Sequence, residues 1–356
     1  MRKIGFAAVL SAVFCALFLL PVFGAGGDGV SAESYIVTDD MGRELFSCQP
    51  DKRMAPASTA KLLTALVAAE NCERDKTIVI TSAHVATEGS LMYLRPGETL
   101  SLGDLLHGLL LASGNDAALA VADLVCGGTE EFVQLMNTKA AELGMDSSRF
   151  SNPSGQPDEN TYTTARDLSR LIAAFTKNGE LMKISGTREA VLDGRTVVNH
   201  NRLISTLSGV DGGKTGYTRE AGRCLVTTAE RNSRRVFVVT LNAPEDWADH
   251  EKLYSMAFGL YEKTELGGLL PVCQDIVGGE RDRVRVECSS VPVLWLSEAE
   301  REALRSVTYM RRFEYAPVRP GDSCGKTVIF CGDKPLLTVG LYYCEAVYCR
   351  GTDNLK

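Results

Sequence analysis

The order of hydrophobic patterns in this chain predicts an α+β fold, with strands at both ends of a first domain and helices between them. Three observations carry it. The segment 34–46 holds two short runs, Tyr35-Ile36-Val37 and Glu44-Leu45-Phe46, separated by the polar stretch Asp39-Asp40-Met41-Gly42, which is the signature of a β-hairpin. The middle of the chain switches to helical spacing. Two more β runs, 223–228 and 235–242, then follow, joined by the turn Arg231-Asn232-Ser233-Arg234. Strands supplied from both ends of a region pair into one sheet with the helices packed against it, unlike a repeating βαβ unit.

Taken in order, the hairpin is followed by a helix over 58–70, where Leu62, Leu63, Leu66 and Val67 share one face. Two apolar helices are expected at 103–112 and 116–126, broken by Ser113-Gly114-Asn115, with Asp116 placed to cap the second. A helix over 163–178 opens on the polar turn Thr163-Thr164-Ala165-Arg166-Asp167. Past residue 265 the texture changes to short strands alone, at 283–288, 291–295, 308–315, 327–331 and 336–341. Gly278-Gly279, Pro320-Gly321 and Gly332-Asp333 supply the turns. A boundary near 262–272 is therefore expected, with a first domain over 33–265, a small all-β domain over 270–347 and a short tail, 348–356.

Composition bounds the function. With 356 residues, 45% of them hydrophobic, the chain has enough apolar material for about two domains and too much for a disordered polymer. Lys and Arg number 38 against 45 Asp and Glu, a net charge of −7, which disfavours an electrostatic nucleic-acid binder. Met1-Arg2-Lys3 precedes an apolar run over 4–20, which reads as an export signal within 1–32 and places the protein outside the cytoplasm. Val30-Ser31-Ala32 and Val22-Phe23-Gly24 are two candidate cleavage sites, and retention as an amino-terminal anchor is the alternative and the one route to a membrane. Of 11 cysteines, all but Cys15 lie outside this segment, an even number that permits disulfides in an exported chain without demonstrating them. None is spaced Cys-x-x-Cys and the four His are scattered, so no zinc site is expected, and no metal or organic cofactor is implied.

Three short motifs carry chemistry. Ser58 and Lys61 sit i and i+3 at a helix start, so the amine can face the hydroxyl and activate it once burial lowers its proton affinity. Alone, Ser-x-x-Lys is common, and a capped surface helix explains it as well. Ser113 and Asn115, two apart at a helix break, can relay a proton and hold a substrate amide; an ordinary helix connection is the bland reading. Lys214-Thr215-Gly216 precedes a strand and offers a cation, a hydroxyl and a close backbone approach to an anionic peptide; a glycine-rich turn with a solvated lysine is its bland counterpart. Lys214-Thr215 lacks the preceding Gly-x-x-x-x-Gly of a phosphate loop. Together, in this order, the three match the set of penicillin-binding proteins and class A β-lactamases.

On these residues the chain resembles the low-molecular-mass penicillin-binding proteins, the serine-type D-alanyl-D-alanine carboxypeptidases. Further segments resemble the same family: Phe150-Ser151-Asn152-Pro153 with Gly155, Asn199-His200-Asn201, Ala221-Gly222 and Ala316-Pro317-Val318 with Gly321. The resemblance implies a serine β-lactamase/DD-peptidase-like catalytic domain followed by the small β domain. It also implies removal of the terminal D-alanine from peptidoglycan stem pentapeptides and acylation by β-lactams. Ser58 would be the nucleophile and Lys61 its base, with Ser113 the proton shuttle and Asn115 orienting substrate. Lys214 and Thr215, beside Gly216, would bind the terminal carboxylate, and the backbone N–H groups of Ser58 and Tyr217 would form the oxyanion hole. Gln156 stands where family members more often carry Leu, and Tyr217 where His is usual. Two rivals remain. A β-lactamase of the same fold would need a deacylating glutamate that no Glu-x-x-Leu-Asn segment supplies, and a silent wall-binding protein would keep the pocket without the chemistry.

Overall fold

The structure is a computed structural model and describes residues 29–351. The expected export segment up to residue 28 and the end of the tail, 352–356, lie outside the described residues. Residues 30–32 belong to the folded part: Ser31 bonds Asp249 through its N–H (2.8 Å) and its hydroxyl (2.7 Å), and Ala32 is buried.

A five-stranded antiparallel sheet organises the first region, in the order Glu44–Cys48, Ser34–Asp39, Arg234–Leu241, Gly222–Arg231, Val210–Thr218. The amino-terminal hairpin thus joins late strands. Both faces of this sheet are covered, which is why its inner strands read as continuous apolar runs. Ile36, Cys224, Val226 and Val239 pack into a large core with the helices Lys61–Asn71, Leu102–Leu110, Asn115–Cys126 and Ala165–Phe175. Tyr35, Val37, Leu225 and Val238 face the opposite way, against Leu253, Tyr254 and Ala257 of the helix Asp246–Phe258. The hairpin Gly222–Arg231 to Arg234–Leu241 turns on Asn232 and Ser233, both at positive φ (53° and 59°), a conformation that matches strand twist in two-residue turns.

Two expectations about the helices change. The 58–70 helix is a 3₁₀ turn, Ala57–Ala60, running into the α-helix Lys61–Asn71. Asp116 does not act as the expected cap: Gly114 occupies that position, and the Asp116 carboxylate instead accepts the N–H groups of Met92 (3.0 Å) and Leu94 (3.0 Å), tying that segment to the helix.

The later region contains a six-stranded sheet in the order Leu304–Met310, Ser323–Cys331, Lys334–Tyr343, Arg283–Glu287, Cys273–Val277, Phe313–Tyr315. A separate pair joins Tyr261–Glu265 to Val293–Ser297. The region is not strands alone, because Glu298–Glu302 is a short helix opened by a capping box of Ser297 with Glu300. Likewise 308–315 is two strands, interrupted at Arg311-Arg312, and Tyr261–Glu265 was invisible to periodicity because four of its five residues are polar or charged. Tail residues 348–350 pair back onto the 278–280 turn. Glu300 meets the first region, accepting Arg43 (3.2 Å) and Arg234, while the Tyr261 hydroxyl bonds Asp39 (3.2 Å). Among the described residues all ten cysteines are unpaired, and burial pushes the Cys224 thiol up to about 11.

Candidate active site

Ser58 lies in the 3₁₀ turn, where three residues per turn eclipse positions i and i+3. Lys61 Nζ consequently stands 2.9 Å from Ser58 Oγ. The turn is entered through Ala57 at φ 46°, a left-handed conformation that costs an alanine roughly 1 kcal/mol or more and is held by its surroundings. Gly155 is part of that support: a Cβ there would fall 1.9 Å from the Ala57 carbonyl oxygen, so only glycine lets the 152–156 loop press against the Ser58 turn.

The Lys61 amine is fully buried and also reaches Asn115 Oδ1 (2.7 Å) and the Ser154 carbonyl (2.7 Å). Burial, reinforced by the charge of Lys214 and opposed by Asp116, holds its pKa well below the usual lysine range. A neutral amine has two N–H donors and one lone pair. With the donors on the two carbonyl-type oxygens, the lone pair is left for the Ser58 hydroxyl, the geometry a general base requires.

Ser113 breaks the helix pair at φ 60° and is 3% exposed; among the described residues its Oγ has no hydrogen-bond partner. Asn115 is fixed by its N–H on Ser90 O (2.7 Å) and its Nδ2 on Glu88 O (2.5 Å), which turns Oδ1 toward Lys61. The third motif lies on the sheet's edge strand. Gly216 faces the Ser58 turn, since a Cβ there would come within 3.0 Å of Ser58 N and 3.2 Å of Thr59 N. Lys214 is 1% exposed, sends Nζ to Thr215 O (2.8 Å), and is lowered by burial to about 7.

Ser58, Ser113, Thr215, Gly216 and Tyr217 all line one groove of about 290 Å³. Lys61, Asn115 and Lys214 are buried beside it. The structure therefore brings all eight motif residues together, with Tyr217 at the mouth, 68% exposed. Ser90, His200, Arg223, Asp246 and Trp247 line the same groove, and sequence reading assigned none of them a role. Arg223 is held by two bonds to Asp246 (3.0 and 2.8 Å) and lies 5.5 Å from the Trp247 ring. His200 is lowered by burial and by Lys214. Of these, only His200 stood in a segment that could have flagged it, Asn199-His200-Asn201. A larger cavity of about 860 Å³ opens between Thr129–Glu142 and the 148–162 loop; its Ser148 hydroxyl bonds the Asp167 carboxylate (2.8 Å), and no lysine or histidine is among its lining residues.

Comparisons with known proteins point to one family. A model of the D-alanyl-D-alanine carboxypeptidase family, peptidase S11, matches residues 22–245. The chain is 38% identical over 240 residues to D-alanyl-D-alanine carboxypeptidase DacF of Bacillus subtilis, covering 64% of this chain and 62% of the relative. To DacB2 of Mycobacterium tuberculosis it is 33% identical over 251 residues, covering 67% and 86%. The solved structure of penicillin binding protein 5 from Haemophilus influenzae superposes with a TM-score of 0.66 at 25% identity, over 91% of this chain and all of that one. A sheet built from both ends of a region, a buried lysine beside a serine and a matching family model converge on one statement: the chain belongs to the serine-type D-alanyl-D-alanine carboxypeptidases of the penicillin-binding-protein type.

Proposed function

We propose that this chain removes the terminal D-alanine from peptidoglycan stem pentapeptides through an acyl-enzyme on Ser58, and that β-lactams acylate the same oxygen. The observation that carries the reading is the fully buried Lys61 amine 2.9 Å from Ser58 Oγ. As Ser58 Oγ bonds the penultimate D-alanine carbonyl, its proton passes to Lys61; the C–N bond then breaks as Ser113 gives its proton to the departing amine and takes the one held by Lys61, which returns to its neutral form. Water cleaves the ester and restores Ser58. The N–H groups of Ser58 and Tyr217 receive the oxyanion, and a pre-arranged donor of this kind is worth about 3 kcal/mol in the transition state. Thr215 receives the terminal carboxylate in the groove. Lys214, turned to the Thr215 carbonyl, adds its charge to the burial that lowers the Lys61 pKa.

We further assign the enzyme an extracytoplasmic site of action, where its substrate lies, and read 33–265 as its catalytic domain with 270–347 as an appended β domain. Among the described residues no helix is long and apolar enough to cross a membrane. The decisive assay is D-alanine release from a D-Ala-D-Ala pentapeptide, together with labelling by a fluorescent penicillin. Both are expected from the unmutated chain and both should vanish in Ser58→Ala; no release from the unmutated protein refutes the reading, and rapid penicillin turnover would make it a β-lactamase.

A further inference from the structure

Gln156 takes part in the site although it belongs to none of the three motifs. Its loop is built by Asn152, whose Oδ1 accepts the N–H groups of Ser154, Gly155 and Gln156 (3.2, 2.8 and 3.1 Å). From that base the Gln156 side chain spans two loops. Nε2 donates to Glu88 O (3.3 Å), while Oε1 accepts the hydroxyls of Ser154 (3.2 Å) and Thr87 (3.4 Å). Glu88 O is the same carbonyl that accepts Asn115 Nδ2, and Ser154 O is the same carbonyl that accepts Lys61 Nζ. The bonds therefore close a ring, from Lys61 to Asn115, to Glu88 O, to Gln156, to Ser154 and back to Lys61.

We propose that Gln156 is a positioning residue for Lys61, the link that closes this ring and so fixes which atoms the amine meets. The inference rests on the reading of Lys61 as the base of Ser58. An Asn amide can turn over, and the turned form would aim Nδ2 at the amine and offer it a donor where it needs an acceptor. The Glu88 carbonyl forbids this only while the 86–90 loop stays in place, and Gln156 ties that loop to the one carrying Ser154. A leucine at 156 would make none of these three bonds. The charged groups acting on Lys61 are Lys214 from the edge strand and Asp116 from the helix Asn115–Cys126; the ring adds fixed dipoles and no charge.

The test compares Gln156→Leu and the near-isosteric Gln156→Met with the unmutated chain in three measurements: second-order acylation by a fluorescent penicillin against pH, the titration of Lys61 followed by NMR of labelled lysine, and the thermal midpoint. Both variants should acylate roughly tenfold more slowly. The Lys61 titration and the acid limb of acylation should move up by about one pH unit, as water reaches the amine and relieves its desolvation. Gln156→Glu should move both further, because a nearby carboxylate favours the ammonium form. If Leu and Met variants keep the acylation rate and Lys61 titration of the unmutated chain and lose only thermal midpoint, Gln156 is merely structural and the proposal falls. If the unmutated chain takes no penicillin at all, the carboxypeptidase reading falls instead, while the Lys61 titration still decides the role of Gln156.

Discussion

The two regions of this molecule handle charge in opposite ways. The first buries ionisable groups in number: Lys61, Asp116, Lys214, Asp246, Asp249 and His250 are all at most 5% exposed. Beyond residue 265, Glu300 is the one charged side chain buried among the described residues, and its partners Arg43 and Arg234 come from the first region. Elsewhere the later region pairs its charges at the surface, as in Arg283 with Asp275, whose side chains are 71% and 58% exposed. Burying a charge is unfavourable unless partners compensate, so a region that does it repeatedly is organised around chemistry, while one that keeps charges wet is organised around its strands.

The contrast can be broken at three points. The largest effect is expected at the junction. Glu300→Ala leaves Arg43 and Arg234 without their shared carboxylate and should cost about 3 kcal/mol of stability, read as a lower urea midpoint, with penicillin acylation per folded molecule unchanged. Unchanged stability would show that the two regions are not coupled through this contact. A smaller effect of opposite sign is expected inside the groove wall. Lys214 is held at about 7 against an ordinary 10.5, so below pH 7 folding buries a cation, and between 7 and 10.5 the unfolded chain binds more protons. Stability must then rise with pH across that window. Lys214→Met should raise the melting temperature at pH 6 by a few degrees, lose that advantage by pH 10, and depress acylation, the trade expected where function maintains a buried charge. A uniform shift at all pH values would contradict this account. The smallest effect is expected at the surface, where Arg283→Ala should change stability by less than about 0.5 kcal/mol; a larger loss in thermal unfolding would mean that the later region also depends on its ion pairs.

Legibility followed the range of the interaction. The hairpin at 34–46 and the strand pair at 223–242 were visible because their alternation and turn residues act within a few positions. Ser58, Lys61, Ser113, Asn115 and Lys214-Thr215-Gly216 were visible as a set because each motif is itself local. The role of Asp116 is not legible locally: beside Gly114 it has the form of a cap, and nothing nearby says that its carboxylate answers Met92 and Leu94. Arg223, Trp247 and Ser90 reach the groove from three separate segments and carry no shared pattern. The helix at 298–302 does carry a local signal, the capping box of Ser297 and Glu300, but at five residues it is too short to show helical periodicity.

By itself the sequence determined the order of most elements and which polar groups recur at short motif spacing, because propensity, turn chemistry and i to i+3 spacing operate along the chain. The tertiary structure decided what those groups can do. Lys61 loses proton affinity only when the helices and sheet remove it from water and bring Lys214 near, and Asn115 presents its oxygen only because Glu88 holds its nitrogen. Desolvation and hydrogen-bond direction depend on atoms far apart in sequence, so they come into being only when the chain has folded.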